Sequence, residues 1–543
     1  MIPLSELQKA VREGLAYLKA QEDVEEGEVY TAANGVLLTR LNYTSHIPCN
    51  GVEEPKSVVN YCVGVQAVFK GADGELRKAG FGSETSDISV EGVRSALEKA
   101  RKGAVADPEF KSLARPTGEQ RKLKSYHDPK VLDIKDADLV DTGWRVVNGA
   151  LRVFQTSESL GNLVERPEKL GELGLIVSGD VTILQERMAI ASYAMPDVQT
   201  DESSLIMSFI TSMVERDGSK GSGYAATTRL DGFSDEAGRE AAQAAIRTMG
   251  GVRLSSGDYR VVFGRQATME IMHYIVLPGL STGMFYAAGS PFMGQMGQQV
   301  ASEKFSICDD GGAAGLVGSK GITCEGLPTG RTDLIKDGRL VGLLSNHYET
   351  QRLMSDPKSK EKLGVDPQAS AAAFVPRNGF RFARGGGRHF DAQPGIHPTN
   401  VLVPGDIEST EAICRLVGNG IYIGRIWYTY PVNGLRAGDF TGTVVGDSYV
   451  IRDGKLAEPV KPNTLRITEN IRTVLNGVIG VAKEGKPTLV WAADEIVHAP
   501  DGHGRFRIDR HTDEPARAKQ ILRERRRESN QQLELLRPWP HRR

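Results

Sequence analysis

The sequence predicts an α+β fold in which sheet outweighs helix. Three observations carry that expectation. Apolar residues recur at helical spacing in a few bounded stretches. Strand-like runs lie between and beyond them, separated by turn residues. Glycine is abundant, 61 of 543 residues, or about 11% against a typical ~7%, as many tight turns require.

The elements follow in order. Leu4, Leu7, Val11, Leu15 and Leu18 recur among charges as an amphipathic helix that Ser5 can cap. Strands are expected at Val29–Thr31 and Val36–Leu41, joined by a hairpin turn at Asn34-Gly35, whose residues tolerate positive φ. A third runs from Val58 to Phe69, and a turn at Ala72-Asp73-Gly74 returns the chain to Lys78–Gly82. Ser89 precedes a helix with Val93, Ala96, Leu97 and Ala100 on one face. Residues 105–130, polar and holding Pro108 and Pro116, read as an exposed connection. A helix follows over Ala137–Gln155, then strands Leu173–Ser178 and Val181–Ala194 about a turn at Gly179-Asp180. Lys220–Gly223 marks a domain edge, and Ser234-Asp235-Glu236 opens a helix ending near Gly250-Gly251. From the strand Tyr259–Phe263 onward, short strands, glycines and prolines dominate to about Val497, with no fixed internal repeat. Pro515–Arg543 differs, with nine Lys or Arg against three Glu. It reads as a solvated basic tail.

Composition excludes several classes. A net charge of -2 argues against a chain built to bind nucleic acid. Five cysteines, Cys49, Cys62, Cys308, Cys324 and Cys414, form no C-x-x-C pair and fit reduced thiols of a cytoplasmic protein. No signal peptide pattern opens the chain, and the uncharged stretch Tyr274–Ser302 is too broken by Gly, Pro and Ser to be a membrane helix.

The chemistry-bearing candidates concentrate between Asp258 and Asn346. Glu270 and His273 stand three apart on one helical face, a spacing used by metal-binding bundles when a second such pair completes the site. Glu495 and His498 form a second pair in a strand-like context, so two surface polar residues are the alternative reading. Gly279-Leu280-Ser281-Thr282-Gly283 matches G-x-S-x-G, which would expose Ser281 as a nucleophile, with Asp309 or Asp310 and then His347 in the right order. An ordinary turn is the competing reading. Asp310–Lys320 suggests a backbone nest for phosphate, but Gly-Ser-Lys is not the order of a P-loop. Gly385-Gly386-Gly387, between Arg384 and Arg388, reads as a loop.

A succession of motifs resembles the TldD/PmbA family. It comprises Gly289-Ser290-Pro291, Gly294–Ser302, Asp309-Asp310-Gly311, Glu325–Thr332, Leu334–Gly338, Asn400–Gly405, Gly438–Gly442 and Ile451–Gly454. The resemblance implies an N-terminal α/β domain (1–225), a β-rich C-terminal domain (226–498) and a remaining basic tail (499–543). It implies a part in cytoplasmic proteolysis, with Asp309, Asp310, Glu325 and Gly326 on a substrate groove. The family pairs a zinc-bearing TldD-type subunit, with His-Glu-x-x-x-His and a later cysteine, with a PmbA (TldE) type lacking those ligands. Here the corresponding stretch is Ala267-Thr268-Met269-Glu270-Ile271-Met272-His273, and no cysteine follows Cys414. The chain therefore looks like the PmbA type: no metal of its own, zinc in a TldD-type partner, and a peptide as substrate. A stand-alone peptidase or serine hydrolase, and a non-catalytic binding or scaffold protein, are the alternatives.

Overall fold

The computed structural model of the chain describes residues 1–510 apart from 48–50, 54, 72–76, 120–122, 124–125, 384–386, 389–391 and 490–495. The turn expected at Ala72-Asp73-Gly74, the triple glycine's Gly385-Gly386, Glu495 and the tail segment Pro515–Arg543 lie outside the described residues, as does Cys49.

The N-terminal unit is one antiparallel seven-stranded sheet. Its strands are β1 (Val24–Thr44), β2 (Lys56–Phe69), β3 (Lys78–Thr85), β4 (Val105–Ala106), β5 (Leu175–Ser192), β6 (Gln199–Val214) and β7 (Ser219–Thr227), in the spatial order β4-β3-β2-β1-β5-β6-β7. Four helices, Leu4–Lys19, Val90–Lys102, Asp136–Thr156 and Glu236–Arg247, cover one face. Their apolar positions are those the spacing predicts: Leu7, Val11 and Leu18 from the first, and Val93, Ala96, Leu97 and Ala100 from the second, are buried against Val29, Ala33 and Val65. Ser89 caps the second helix by accepting from Gly92 N at 3.4 Å. Ser5 lies inside the first, whose cap position is Pro3.

Two expected turns are absent. Asn34-Gly35 sits mid-strand, with Asn34 opposite both Asn60 and Glu186. Gly179 runs through β5 with φ of +145°, paired to Leu41 and Ile210. Both strands are paired on both edges, and β1 is also buried on both faces around Asn34, so continuous ladder pairing outweighs local turn preference. Lys220–Gly223 is likewise part of β7 rather than a linker. Residues 105–130 are only partly exposed, since Leu113 and Ala114 are buried. The helix Glu236–Arg247 packs on β6 and β7.

The second sheet begins with β8 (Gly257–Phe263) and includes β9 (Ile307–Asp310), β10 (Arg331–Lys336) and β11 (Arg339–Leu340). Five of its strands, 496–510, 465–470, 439–452, 420–431 and β8, close into a ring, because 496–510 pairs with β8 as well as with 465–470. Closure removes free edges. The helix after β8 packs on this ring, with Met269 and Ile271 joining Phe263, Ile421 and Ile423 in the largest apolar cluster. The architecture is α+β, as predicted.

Among the described residues no helix is long and apolar enough to cross a membrane. The stretch 274–302 breaks into a π-helical turn, two short helices and loop. Leu7, fully buried between helix and sheet, tests the packing: Leu7→Ala is expected to cost about 2–5 kcal/mol of stability, read as a lower denaturation midpoint with unchanged slope.

Candidate functional site

The uncovered face of the first sheet is where the two units meet. Strand periodicity puts Glu28, Tyr30, Ala32 and Asn34 on it, and β-pairing sets Glu186, Met188, Asp201 and Ser203 beside them. Residues of 320–324 and 380–382 in the second unit lie against this face, burying Tyr30, Met188 and Met195 with Ile322, Cys324 and Phe380.

Two guanidiniums, each with 0% exposed side chain, anchor the contact. Arg381 Nη2 is 2.8 Å from Glu28 Oε1, and its Nη1 donates to Ala392 O at 2.9 Å. Its guanidinium carbon lies 4.9 Å from the centre of the Tyr30 ring. Arg388 Nη1 is 2.8 Å from Asp201 Oδ2, and its backbone N donates to Glu186 Oε1 at 2.7 Å. Asn34 Nδ2 donates to Arg388 O. Lys320 pairs with Glu186 and donates to Ser203 Oγ at 2.7 Å. Burial works to raise the Glu186 carboxyl, but the Lys320 and Arg388 charges outweigh it and hold it at about 2. The lysine of the expected phosphate nest is thus committed to an ion pair, and Gly318 N of the same loop donates to Asn400 Oδ1 at 2.8 Å.

Beside this network is a cavity of about 190 Å³. The first sheet supplies Glu28, Gln66, Ala79 and Val105; the connection after β4 supplies Asp107, Phe110 and 112–114; the second unit supplies Glu325, His347, Tyr348, Gln393 and Pro394. Glu325, 7% exposed, has both carboxylate oxygens 3.2 Å from His347 N, the first residue of helix His347–Ser355. It folds over Gly379, where an added Cβ would sit 2.0 Å from Glu325 Oε2. Burial, reinforced by the Glu28 charge, pushes Glu325 up to about 8. His347 Nε2 is 3.1 Å from Ser112 O and 2.9 Å from Gln351 Nε2, which ties the connection to the second unit. Tyr348 donates to Asp107 Oδ2 at 2.6 Å.

The other expected groove residues lie around this cavity rather than in its wall. Asp309 is buried behind it, accepting from Thr399 N at 2.6 Å and from Asn378 Nδ2 at 2.7 Å; burial pushes it up to about 7. Asp310 Oδ1 accepts from Gly312 N at 2.9 Å. Gly326 holds φ of +74°, beside Met195 and Pro116.

Glu270 and His273 are placed elsewhere, on the helix after β8. Arg265–Ile271 is α-helical and Met272–Val276 widens into a π turn, so the two no longer share regular α spacing. Glu270 is buried, accepts from Gln266 Nε2 at 3.2 Å and is pushed up to about 7 by burial. His273, and after it Arg425, is close enough to offset part of that rise, so the predicted pair still interacts. Ser281 is no strand-to-helix nucleophile. It caps the short helix Thr282–Tyr286, accepting from Met284 N at 3.3 Å and donating to Pro278 O at 3.0 Å. Its expected partners are engaged elsewhere, His347 with Ser112 and Gln351, and Asp309 with Thr399 and Asn378. Cys324 is buried with its thiol pushed up by burial, 3.6 Å from Tyr30 OH. Cys62, Cys308, Cys324 and Cys414 are free thiols. Among the described residues no three His, Cys, Asp or Glu side chains gather as a metal cage.

The sequence reading missed Glu28, Asp107, Tyr348, Arg381 and Arg388. The alternation Glu28-x-Tyr30-x-Ala32-x-Asn34 carried a signal of a polar strand face, but it was hidden by the apparent turn at Asn34-Gly35.

Residues 256–508 match the PmbA/TldA metallopeptidase C-terminal domain. A "Metalloprotease" of Methanothermobacter thermautotrophicus is 26% identical over 277 residues, covering 50% of this chain and 53% of that protein. A "Metalloprotease TldD homolog" of Buchnera aphidicola is 25% identical over 239 residues, 44% and 43% of the two chains. The matches thus span about half, or less, of those relatives' length. In structure the chain resembles TldE from Thermococcus kodakarensis, with a TM-score of 0.70, 16% identity, and 93% and 100% of the two chains covered. At that identity the likeness concerns the fold.

Two outcomes test the site. Arg388→Met leaves Asp201 and Glu186 buried without their guanidinium, and is expected to cost about 3–5 kcal/mol in denaturant unfolding. Glu325 holds its proton to about pH 8 when folded, against an ordinary carboxyl value of 4.5. The folded state therefore binds more protons than the unfolded state between those values, so stability from this group falls as pH rises through that window. Glu325→Gln is expected to shrink the loss in melting temperature between about pH 6 and about pH 9.

Proposed function

Starting from a chain that belongs to the TldD/PmbA family, whose relatives are named metalloproteases, we propose that this protein is the PmbA-type, metal-free subunit of a two-component cytoplasmic peptidase. It shapes a peptide groove for a zinc-bearing TldD-type partner. One observation carries the reading. If Glu270 is the glutamate of His-Glu-x-x-x-His, the two histidine positions hold Met269 and Tyr274. Met269 is fully buried in the core of the second unit, and a thioether facing a hydrocarbon cluster is no zinc ligand. The donor set does not fit the family's zinc, so no catalytic step is assigned to it here.

Glu270 accordingly has a structural part in this reading. Burial raises its pKa to about 7, and it accepts from Gln266, whose own Oε1 accepts from Ile426 N at 3.1 Å. The cavity between the units supplies the groove's concave wall, and Glu325 is its functional carboxyl. The serine-hydrolase alternative gains no support from Ser281, whose hydroxyl caps a helix.

The test is metal content and peptide hydrolysis of the purified chain, alone and mixed with a zinc-bearing family member. No stoichiometric zinc and no turnover alone, with turnover in the mixture, is the expected result. In that mixture Glu270→Gln in this chain should change the rate by less than about twofold, since removing a general base would cost about 10²–10⁴-fold. Zinc bound one-to-one by the chain alone, or hydrolysis by it, would overturn the proposal.

A further inference from the structure

The cavity between the sheet edge and the helix His347–Ser355 carries more chemical information than a generic groove. Its volume, about 190 Å³, suits one amino-acid side chain rather than a folded peptide; an engineered cavity of about 150 Å³ holds benzene. Its wall is divided. Ala79, Val105, Phe110, Leu113, Ala114 and Pro394 make an apolar sleeve, with Phe110 and Tyr348 stacked at 6.4 Å. The polar contribution is strongly acidic: Glu28, Asp107 and Glu325 all line the space.

The charges around these carboxyls are unevenly matched. Glu28, 3% exposed, pairs with Arg381 through Oε1. Arg381 bonds Glu28 and Ala392 O, and its Nε is buried without a hydrogen-bond partner among the described residues. Arg352, the nearest cation on the facing helix, is held by Glu109 and Glu349. Glu325 receives one shared backbone N–H for two oxygens and forms no ion pair, the Arg381 charge acting on it only from beyond salt-bridge distance. A carboxyl more than nine-tenths buried with so few donors is costly when charged. It sits in a space large enough for a ligand, and it remains under-satisfied unless that ligand brings donors. A metal ion is a poor fit, since the lining carboxyls do not converge as a cage among the described residues.

We propose that this cavity binds a primary ammonium on a hydrocarbon stem, the group shared by a lysine side chain and the amino-terminal residue of a peptide. The stem lies along Val105, Phe110 and Tyr348, and the three N–H donors of the ammonium are directed to the lining carboxyls, Glu325 first. The inference deepens the peptide-groove reading above and rests on it: this subunit would select cationic peptides.

The test is calorimetric titration of the full chain with three small probes. Acetyl-Gly-Lys-Gly-amide carries only a side-chain ammonium, norleucyl-glycinamide only a terminal one, and acetyl-Gly-norleucine-Gly-amide none. At least one cationic probe is expected to bind about tenfold or more tighter than the neutral one, the scale of one charge-assisted contact in a desolvated site. Which of the two binds identifies the source of the ammonium. Glu325→Gln should abolish the preference. Val105→Trp, at a rim position that is 63% exposed and so tolerant of substitution, should block binding altogether and serves if the Glu325 variant misfolds.

Equal binding of charged and neutral probes, blocked by Val105→Trp, would overturn cation selection while leaving a peptide groove in place. Binding untouched by Val105→Trp would overturn the location. No binding of any probe would overturn the cation site, and the partner-mixing experiment would then decide the subunit reading by itself.

Discussion

The placement of everything functional depends on two buried guanidiniums. Arg381 and Arg388 reach from one short segment of the second unit onto the open face of the first sheet and end on Glu28 and Asp201. Burying such charges is expensive, and apolar packing of the same volume would give comparable stability. What ion pairs add is direction: a carboxylate accepts a guanidinium at a few geometries only, so each pair fixes where its strand lies on the sheet. Here they fix the segment that also carries Gly379, and through it the carboxyl of Glu325. A sliding apolar contact would leave that carboxyl without a defined position.

That constraint explains why carboxyls raised toward neutral pH and a carboxyl held near 2 coexist in one molecule. Glu186 has Lys320 and Arg388 beside it and remains ionised. Glu325 and Asp309 are equally enclosed, but their donors are backbone amides, amides of side chains and hydroxyls rather than cations. Burial then dominates, and both shift upward. The cations of the interface are paired with Glu28, Glu186 and Asp201, while Glu325 in the cavity wall has no ion pair.

The sequence made the local elements legible because their determinants are local. Ser89 before an apolar stripe specifies a helix start whatever lies around it, and Tyr259–Phe263 forms a strand that leads into a helix, as its residues suggest. The failures share one cause. Asn34-Gly35 and Gly179-Asp180 have the residues of turns, yet both lie in strands enclosed between two paired neighbours in the sheet. Nothing in the residues near either pair announces that enclosure. The same holds for the site. Arg381 and Arg388 meet partners more than 180 positions away, so no spacing rule could have joined them. The G-x-S-x-G match failed differently: a serine before a short helix is as good a cap as a nucleophile, and only the company it keeps distinguishes the two.

The helix after β8 shows how a carboxyl is accommodated in a core. A buried glutamate must find partners or gain proton affinity, and Glu270 does both, through Gln266 and through its raised pKa. Gln266 then bridges from Glu270 to the backbone of strand 420–431, so the carboxyl becomes a brace between helix and ring. Met269, turned inward, adds hydrocarbon to the largest core. Histidines placed at 269 and 274 would meet a ring packed against the Met269 position and a π turn that shifts the register of the helical residues after it. In this molecule the helix is part of the core, whereas Glu325, farther along the chain, lines a cavity with one backbone N–H shared between its two carboxylate oxygens.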